Sequence, residues 1–152
     1  MKLLVTGASG FVGKSLVRAL VMEQYEVYGL ARSDEASQVV IKSGATPIHG
    51  DLLAVKEFKH KIKGFDAIIH AGAKIGFVGN FDDYYGINVF ATKDLLDVAI
   101  KADVKKFIYI SAAAIALNGK PLQEITEEYQ ADNIIKSNYL KSKVLAEQEI
   151  LQ

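Results

Sequence analysis

The sequence contains no cysteine, which excludes disulfides and thiolate chemistry. It has no net charge, with 18 basic residues against 18 acidic ones, so no bulk field favours nucleic acid or a membrane surface. No run of like charges reads as a tail. No apolar run approaches the roughly 18 residues that a membrane helix needs. Neither an internal repeat nor a low-complexity segment interrupts the chain. Met1-Lys2 leads directly into an apolar run, so no signal peptide is expected. The three histidines, at 49, 60 and 70, have no companions at metal-ligand spacing, and no metal site is expected. These absences lead to the expectation of a cytoplasmic soluble domain, with neither nucleic acid nor membrane as partner.

The chain's 152 residues fit one domain, and half of them are hydrophobic, enough for a real core. Its organising stretch is Thr6-Gly7-Ala8-Ser9-Gly10-Phe11-Val12-Gly13. The run Leu3-Leu4-Val5 leads in, and an apolar-periodic segment with Leu16, Val17 and Leu20 leads out. That is strand, glycine turn and helix, which brings bare backbone N–H groups and a helix N-terminus to one point that attracts phosphate. Gly7 is placed to make the turn, Gly10 to let backbone approach a pyrophosphate, and Gly13 to allow close packing of helix on strand.

Further on, the pattern predicts strands at Lys2–Thr6, Glu26–Ala31, 45–49, 66–70 and 106–111. Helices are predicted at Phe11–Met22, 34–43 (Asp34 as N-cap, Gly44 as stop), 55–61 and 82–102. A last helix is predicted from 133 or 137 to the end. Alternating strands and helices predict an α/β fold, a Rossmann-type doubly wound parallel sheet with helices on both faces. Gly7, Arg32, Asp51, Ala71 and Ser111 all fall at strand carboxyl ends, where such sheets bind ligands. The polar loop over 114–136 is long enough to border a substrate site.

Tyr139 and Lys143 are four residues apart and share a helix face. A tyrosine with a pKa near 10 is a poor base at neutral pH, and a neighbouring ammonium favours the phenolate and lowers that value. His70 reads as a packed or hydrogen-bonded core residue. Asn88 reads either as a surface amide or as part of the site. Tyr84-Tyr85 reads as helix packing or a substrate-loop contact.

Thr-Gly-x-x-Gly-x-x-Gly at residues 6–13 resembles the short-chain dehydrogenase/reductase superfamily, in particular its extended branch of nucleotide-sugar epimerases, dehydratases and dihydroflavonol-type reductases. Gly50-Asp51-Leu52 resembles the segment whose aspartate binds the adenine amino group. His70-Ala71-Gly72-Ala73 resembles the fourth-strand His-x-Ala-Ala, and Asn88-Val89-Phe90-Ala91-Thr92 the Asn-Val-x-Gly-Thr that follows. Tyr139-Leu140-Lys141-Ser142-Lys143 matches Tyr-x-x-x-Lys. The resemblance implies a dinucleotide held by Gly7, Ser9, Gly10, Phe11, Val12, Gly13, Arg32, Asp51, Leu52, Ala71, Gly72, Ala73 and Lys143. It implies Tyr139 as acid–base catalyst, Lys143 as its activator, Ser111 at the end of the strand that leads to the catalytic hydroxyl, and a homodimer through the helices at 82–102 and 133–152.

Enzymes that choose NAD place a carboxylate at the end of the second strand. Here Ala31 stands there and Arg32 follows, a residue able to grip a 2′-phosphate through two hydrogen bonds. The expectation is therefore NADP over NAD, in an NADP-dependent carbonyl reductase. The alternatives are a nucleotide-sugar epimerase or dehydratase, and a non-catalytic dinucleotide-binding or redox-sensing module. Two departures from the family pattern stand out. Ala112 occupies the place of the catalytic serine or threonine, leaving three possibilities: Ser111 swings in, Thr126 or Ser137 substitutes, or the hydroxyl is absent. The chain also ends on the helix that carries Tyr139, so residues 1–152 are expected to form the cofactor-binding domain, with the family's substrate domain absent or truncated.

Overall fold

The structure is a computed structural model and describes residues 1–76, 78–117, 121, 123–126, 129 and 137–152. Five parallel strands form one sheet in the order β3-β2-β1-β4-β5, with β1 Lys2–Thr6, β2 Glu26–Ala31, β3 Thr46–His49, β4 Ala67–His70 and β5 Lys106–Tyr109. The helices are α1 Phe11–Met22, α2 Asp34–Lys42, the short α3 Val55–Phe58, α4 Phe81–Tyr84, α5 Ala91–Lys101 and α6 Asn138–Ile150. The strand bounds fall within two residues of expectation. β5 ends at Tyr109 rather than at Ser111.

Successive strand residues point to opposite faces, and the central strands bury both. Leu4, Leu30 and Ile68 pack under Val55 and Phe58 of α3 and Leu95 and Ala99 of α5. Their neighbours Val5, Ala31 and Ile69 pack on the other side, under Val17 of α1 and Val40 of α2. A side chain of this kind contributes about 1.5–3 kcal/mol when fully buried, which explains why these strands read as unbroken apolar runs. The sheet is the expected doubly wound Rossmann type.

Two local readings need correction, and one left open is decided. The N-cap of α2 is Ser33, whose hydroxyl accepts from the Ala36 N–H at 3.2 Å; Asp34 is the first helical residue, where its charge suits the helix dipole. The segment read as one helix over 82–102 is interrupted by a π-helical turn at Tyr85–Phe90 between α4 and α5. Periodicity does not announce such a turn, because the extra residue shifts the phase only once. Ser137 caps α6 by accepting from Leu140 N–H, so of the two proposed starts the structure takes the later; residues 133–136 lie outside the described ones, as does much of the long polar loop.

The chain runs outward from β1 to β3, then returns to β4 on the other side of β1. The change of direction opens a crevice between the carboxyl ends of β1 and β4, the place where sheets of this type hold ligands.

Candidate active site

An open cleft of about 690 Å³ fills that crevice, within the usual range for a ligand site. Its floor is the glycine turn. Gly7 has φ +66°, and a Cβ there would stand 2.7–2.8 Å from the backbone of Ala71 and Gly72. A Cβ on Gly13 would lie 2.0 Å from the carbonyl oxygen of Gly7. Strand end, turn and helix approach so closely that only glycine fits at either position. Gly10 is the N-cap of α1; it supplies no side chain, and the first turn contains no acid. The leading amides of α1 are therefore left for an outside acceptor, whereas Ser33 and Ser137 fill that role for α2 and α6.

Around this floor the cleft gathers every residue that the sequence nominated for a dinucleotide except Lys143. Gly7, Ser9, Gly10, Phe11, Val12 and Gly13 come from the turn, Arg32 from the end of β2, Asp51 and Leu52 from the end of β3, and Ala71, Gly72 and Ala73 from the end of β4. Asp51 also braces its own turn, its Oδ1 accepting from Leu53 N–H at 3.0 Å. Leu30, Ala36, Gly50, Leu53, Lys74, Ile75 and Ile87 complete the wall. Gly50 belongs to the Gly50-Asp51-Leu52 motif and Leu53 follows it; Ile75 and Ile87 carried no signal, since loop and π-turn geometry place them.

Tyr139 and Lys143 sit on one side of α6, outside that lining. Lys143 is buried, donates from Nζ to the Ile110 carbonyl at 2.7 Å and stands 3.9 Å from the centroid of the Tyr109 ring. Burial pushes its pKa down to about 8, against the opposing pull of Glu147. The ammonium thus points at strand β5. Burial raises the Tyr139 phenol above its ordinary value, so the expected lowering by Lys143 is not met in this structure, where the ammonium is seated on the Ile110 carbonyl and the Tyr109 ring. Tyr109, the seat of Lys143, was missed; only its position two residues before Ser111 hints at it.

Past β5 the strict alternation of faces ends. Ser111 Oγ is buried and has no hydrogen-bond partner among the described residues. A buried hydroxyl without a partner costs free energy and is chemically available. Ser137 is engaged in its cap and Thr126 is exposed. Of the three hydroxyls that could stand in for Ala112, Ser111 is the one the structure leaves buried and unengaged.

Asn88 is no surface amide. It is buried within the π-turn; its Oδ1 accepts from Lys74 N–H at 2.7 Å, and its Nδ2 donates to Lys74 O at 3.0 Å and to Ser142 Oγ at 2.9 Å. Ser142 in turn donates to the Tyr139 carbonyl at 2.6 Å. Tyr84 ties the same loop by donating to Gly76 O and Val78 O, and His70 is a fully buried, hydrogen-bonded core residue. Among the described residues no group of three or more His, Asp or Glu is arranged to hold a metal ion, and no helix is long and apolar enough to cross a membrane.

Glycine floor, strand-end wall and Tyr-x-x-x-Lys helix coincide with what a family comparison finds. The family model described as the 3-beta hydroxysteroid dehydrogenase/isomerase family matches residues 4–152. The chain belongs to that family. It is 33% identical over 152 residues to the 4-hydroxy-2-methyl-3-oxo-4-farnesyl-3,4-dihydroquinoline-1-oxide ketoreductase of Stigmatella aurantiaca, covering 100% of this chain and 46% of that protein. Among solved structures it is similar to a short-chain dehydrogenase/reductase superfamily protein from Agrobacterium tumefaciens with bound NAD: 27% identity, TM-score 0.82, covering 99% of this chain and 44% of that one. It is also similar to the UDP-glucuronic acid 4-epimerase of Bacillus cereus in complex with NAD: 25% identity, TM-score 0.82, covering 99% and 52%. The chain spans less than half the length of the curated relatives it matches. The family uses a nicotinamide dinucleotide, and its members are enzymes.

Proposed function

We propose that this chain is the cofactor-binding part of an NADP-dependent carbonyl reductase. The observation that carries the reading is the cleft. Its glycine floor and the uncapped, acid-free start of α1 suit a pyrophosphate. Its wall at the end of β2 offers Arg32 where an NAD enzyme would present a carboxylate. A nicotinamide dinucleotide supplies the hydride that adds to a carbonyl carbon. Gly7, Ser9, Gly10, Phe11, Val12 and Gly13 hold the phosphates, Arg32 the 2′-phosphate, Asp51 and Leu52 the adenine end, and Ala71, Gly72 and Ala73 the run toward the nicotinamide. Lys143 steadies the nicotinamide ribose and, when turned toward Tyr139, lowers its phenol. Tyr139 then gives its proton to the carbonyl oxygen as the alcohol forms. Ser111 donates to that oxygen in place of the hydroxyl missing at Ala112.

The substrate is a small carbonyl compound or the corresponding alcohol. In this reading the protein is cytoplasmic, which the lack of cysteine suits, and dimeric through the segments at 82–102 and 133–152, where Phe90 and Ile100 of the first are exposed. Calorimetric titration with NADP⁺ and NAD⁺ tests the cofactor assignment. NADP⁺ should bind at least tenfold more tightly, and Arg32→Ala should erase the difference, as loss of a charge-assisted pair predicts. Equal binding of the two cofactors by the wild type would defeat it.

A second reading, nucleotide-sugar epimerisation or dehydration, is favoured by the likeness to the Bacillus cereus epimerase. Such a reaction returns its hydride to the substrate and suits a cofactor that is not released. A protein that keeps its dinucleotide through exhaustive dialysis supports this reading; one that loses it supports the reductase. A non-catalytic module is the reading favoured by Ala112, and the Tyr139–Lys143 pair weighs against it.

A further inference from the structure

A row of buried polar side chains runs behind the cleft. Thr6, His70, Thr92 and Ser142 are 0% exposed and Asn88 is 1% exposed. They belong to β1, β4, α5, α6 and the π-turn. Burying a polar group is costly unless it is bonded, and each link here is made. Gly72 N–H donates to Thr6 Oγ1 at 3.2 Å, and Thr6 Oγ1 lies 2.6 Å from His70 Nδ1. His70 Nε2 lies 2.8 Å from Thr92 Oγ1, which donates to the Asn88 carbonyl at 2.8 Å.

The proton directions follow from the ends inward. A carbonyl only accepts, so the single Thr92 proton goes to Asn88 O, and Thr92 Oγ1 must accept from His70. An amide N–H only donates, so Thr6 Oγ1 accepts from Gly72; burial keeps the ring neutral, and with its one proton on Nε2 its Nδ1 accepts from the Thr6 hydroxyl. One state of the ring meets both demands: neutral, with the proton on Nε2. The other tautomer would leave Nε2 facing an oxygen with no proton to give and the Thr6 proton without an acceptor.

We propose that His70 is a positioning residue that ties the cleft wall at Thr6 and Gly72 to the Asn88 clamp. Through Ser142, that clamp reaches the turn of α6 that carries Tyr139. The role rests on the reading of Tyr139 as the acid–base group, but the relay is testable without any turnover. Cutting it at Thr92 frees the Asn88 end while leaving the Thr6–His70 end bonded. The clamp on Lys74 and Ser142 should then loosen, and the dinucleotide floor should not.

Long-range ¹H–¹⁵N correlation on the histidine-labelled chain at pH 7 should find His70, assigned as the signal that disappears in His70→Gln, as the neutral Nε2–H tautomer. In Thr92→Val, which keeps the shape and loses the hydroxyl, amide exchange at Lys74 and over 140–143 should rise about tenfold, the scale of one lost hydrogen bond. Exchange at Gly72 and the Kd for NADP⁺ should stay within twofold. Thr92→Ser should return all values to those of the wild type. An Nδ1–H or doubly protonated His70 would overturn the proposal, and this measurement decides the matter if Thr92→Val does not fold. Equal acceleration across the sheet amides, or none at 140–143, would also overturn it. Failure of NADP⁺ to bind the wild type would count instead against the cofactor reading.

Discussion

The two halves of the site are built from different materials. The dinucleotide cleft is made of backbone: a turn that admits only glycine at Gly7 and Gly13, and helix amides that no side chain caps. The Tyr139–Lys143 region is made of buried side chains: an ammonium seated on Tyr109 and the Ile110 carbonyl, and an asparagine that clamps loop to helix. A backbone site is fixed by sterics and is insensitive to pH. A side-chain site depends on desolvation, which here raises a phenol and lowers an ammonium. Geometry is ready in the first region, whereas protonation in the second is set by what comes to lie beside it.

The sharpest way to break the contrast is to put a side chain into the backbone site. Gly13→Ala forces a Cβ to within 2.0 Å of Gly7 O. Backbone must move, and we expect a stability loss of about 1–3 kcal/mol with NADP⁺ binding lost beyond detection. Calorimetry and thermal unfolding together check this. Next comes Tyr139→Phe, which keeps the ring and removes the proton. With any carbonyl the protein is found to reduce, turnover should fall about 10²–10⁴-fold while NADP⁺ affinity holds.

The third effect is one of pH. Burial, with help from the Lys143 charge, holds His70 down at about 3 in the folded chain, while an unfolded histidine titrates near 6.5. Between those values the unfolded state binds a proton that the folded state refuses. Stability present above pH 6.5 is therefore lost as pH falls toward 3, by at most about 1.4 kcal/mol per pH unit from this group. Urea midpoints in the wild type should fall over that window, and His70→Gln should flatten that part of the slope. The smallest effect is expected from the surface pair of Lys93 on α5 and Glu149 on α6: Lys93→Ala should cost under about 1 kcal/mol, because exposed ion pairs are screened.

How much the sequence disclosed follows the same division. The glycine floor was legible because glycine spacing reports backbone geometry directly, and the strand-end residues followed from alternating strands and helices. The π-turn was hidden, because one extra residue in a helical turn leaves no mark on periodicity. With it were hidden the inward aim of Asn88 and the placing of Ile87 on the cleft wall. The seat of Lys143 on Tyr109 joins residues 34 apart in the chain, a contact that no local pattern specifies. The lowered phenol expected of Tyr139 fails for the same reason: burial raises it, and the Lys143 ammonium is seated on Tyr109 and Ile110.

The central claim is that the backbone-built cleft holds NADP. A titration of the ¹⁵N-labelled chain with NADP⁺ tests it most directly. The account expects saturable shifts concentrated at residues 7–13, Arg32, Asp51, Leu52 and 71–73, with the Arg32 shift much reduced when NAD⁺ is used instead. Saturable shifts clustered away from those strand ends, or none at all at millimolar NADP⁺, would contradict it.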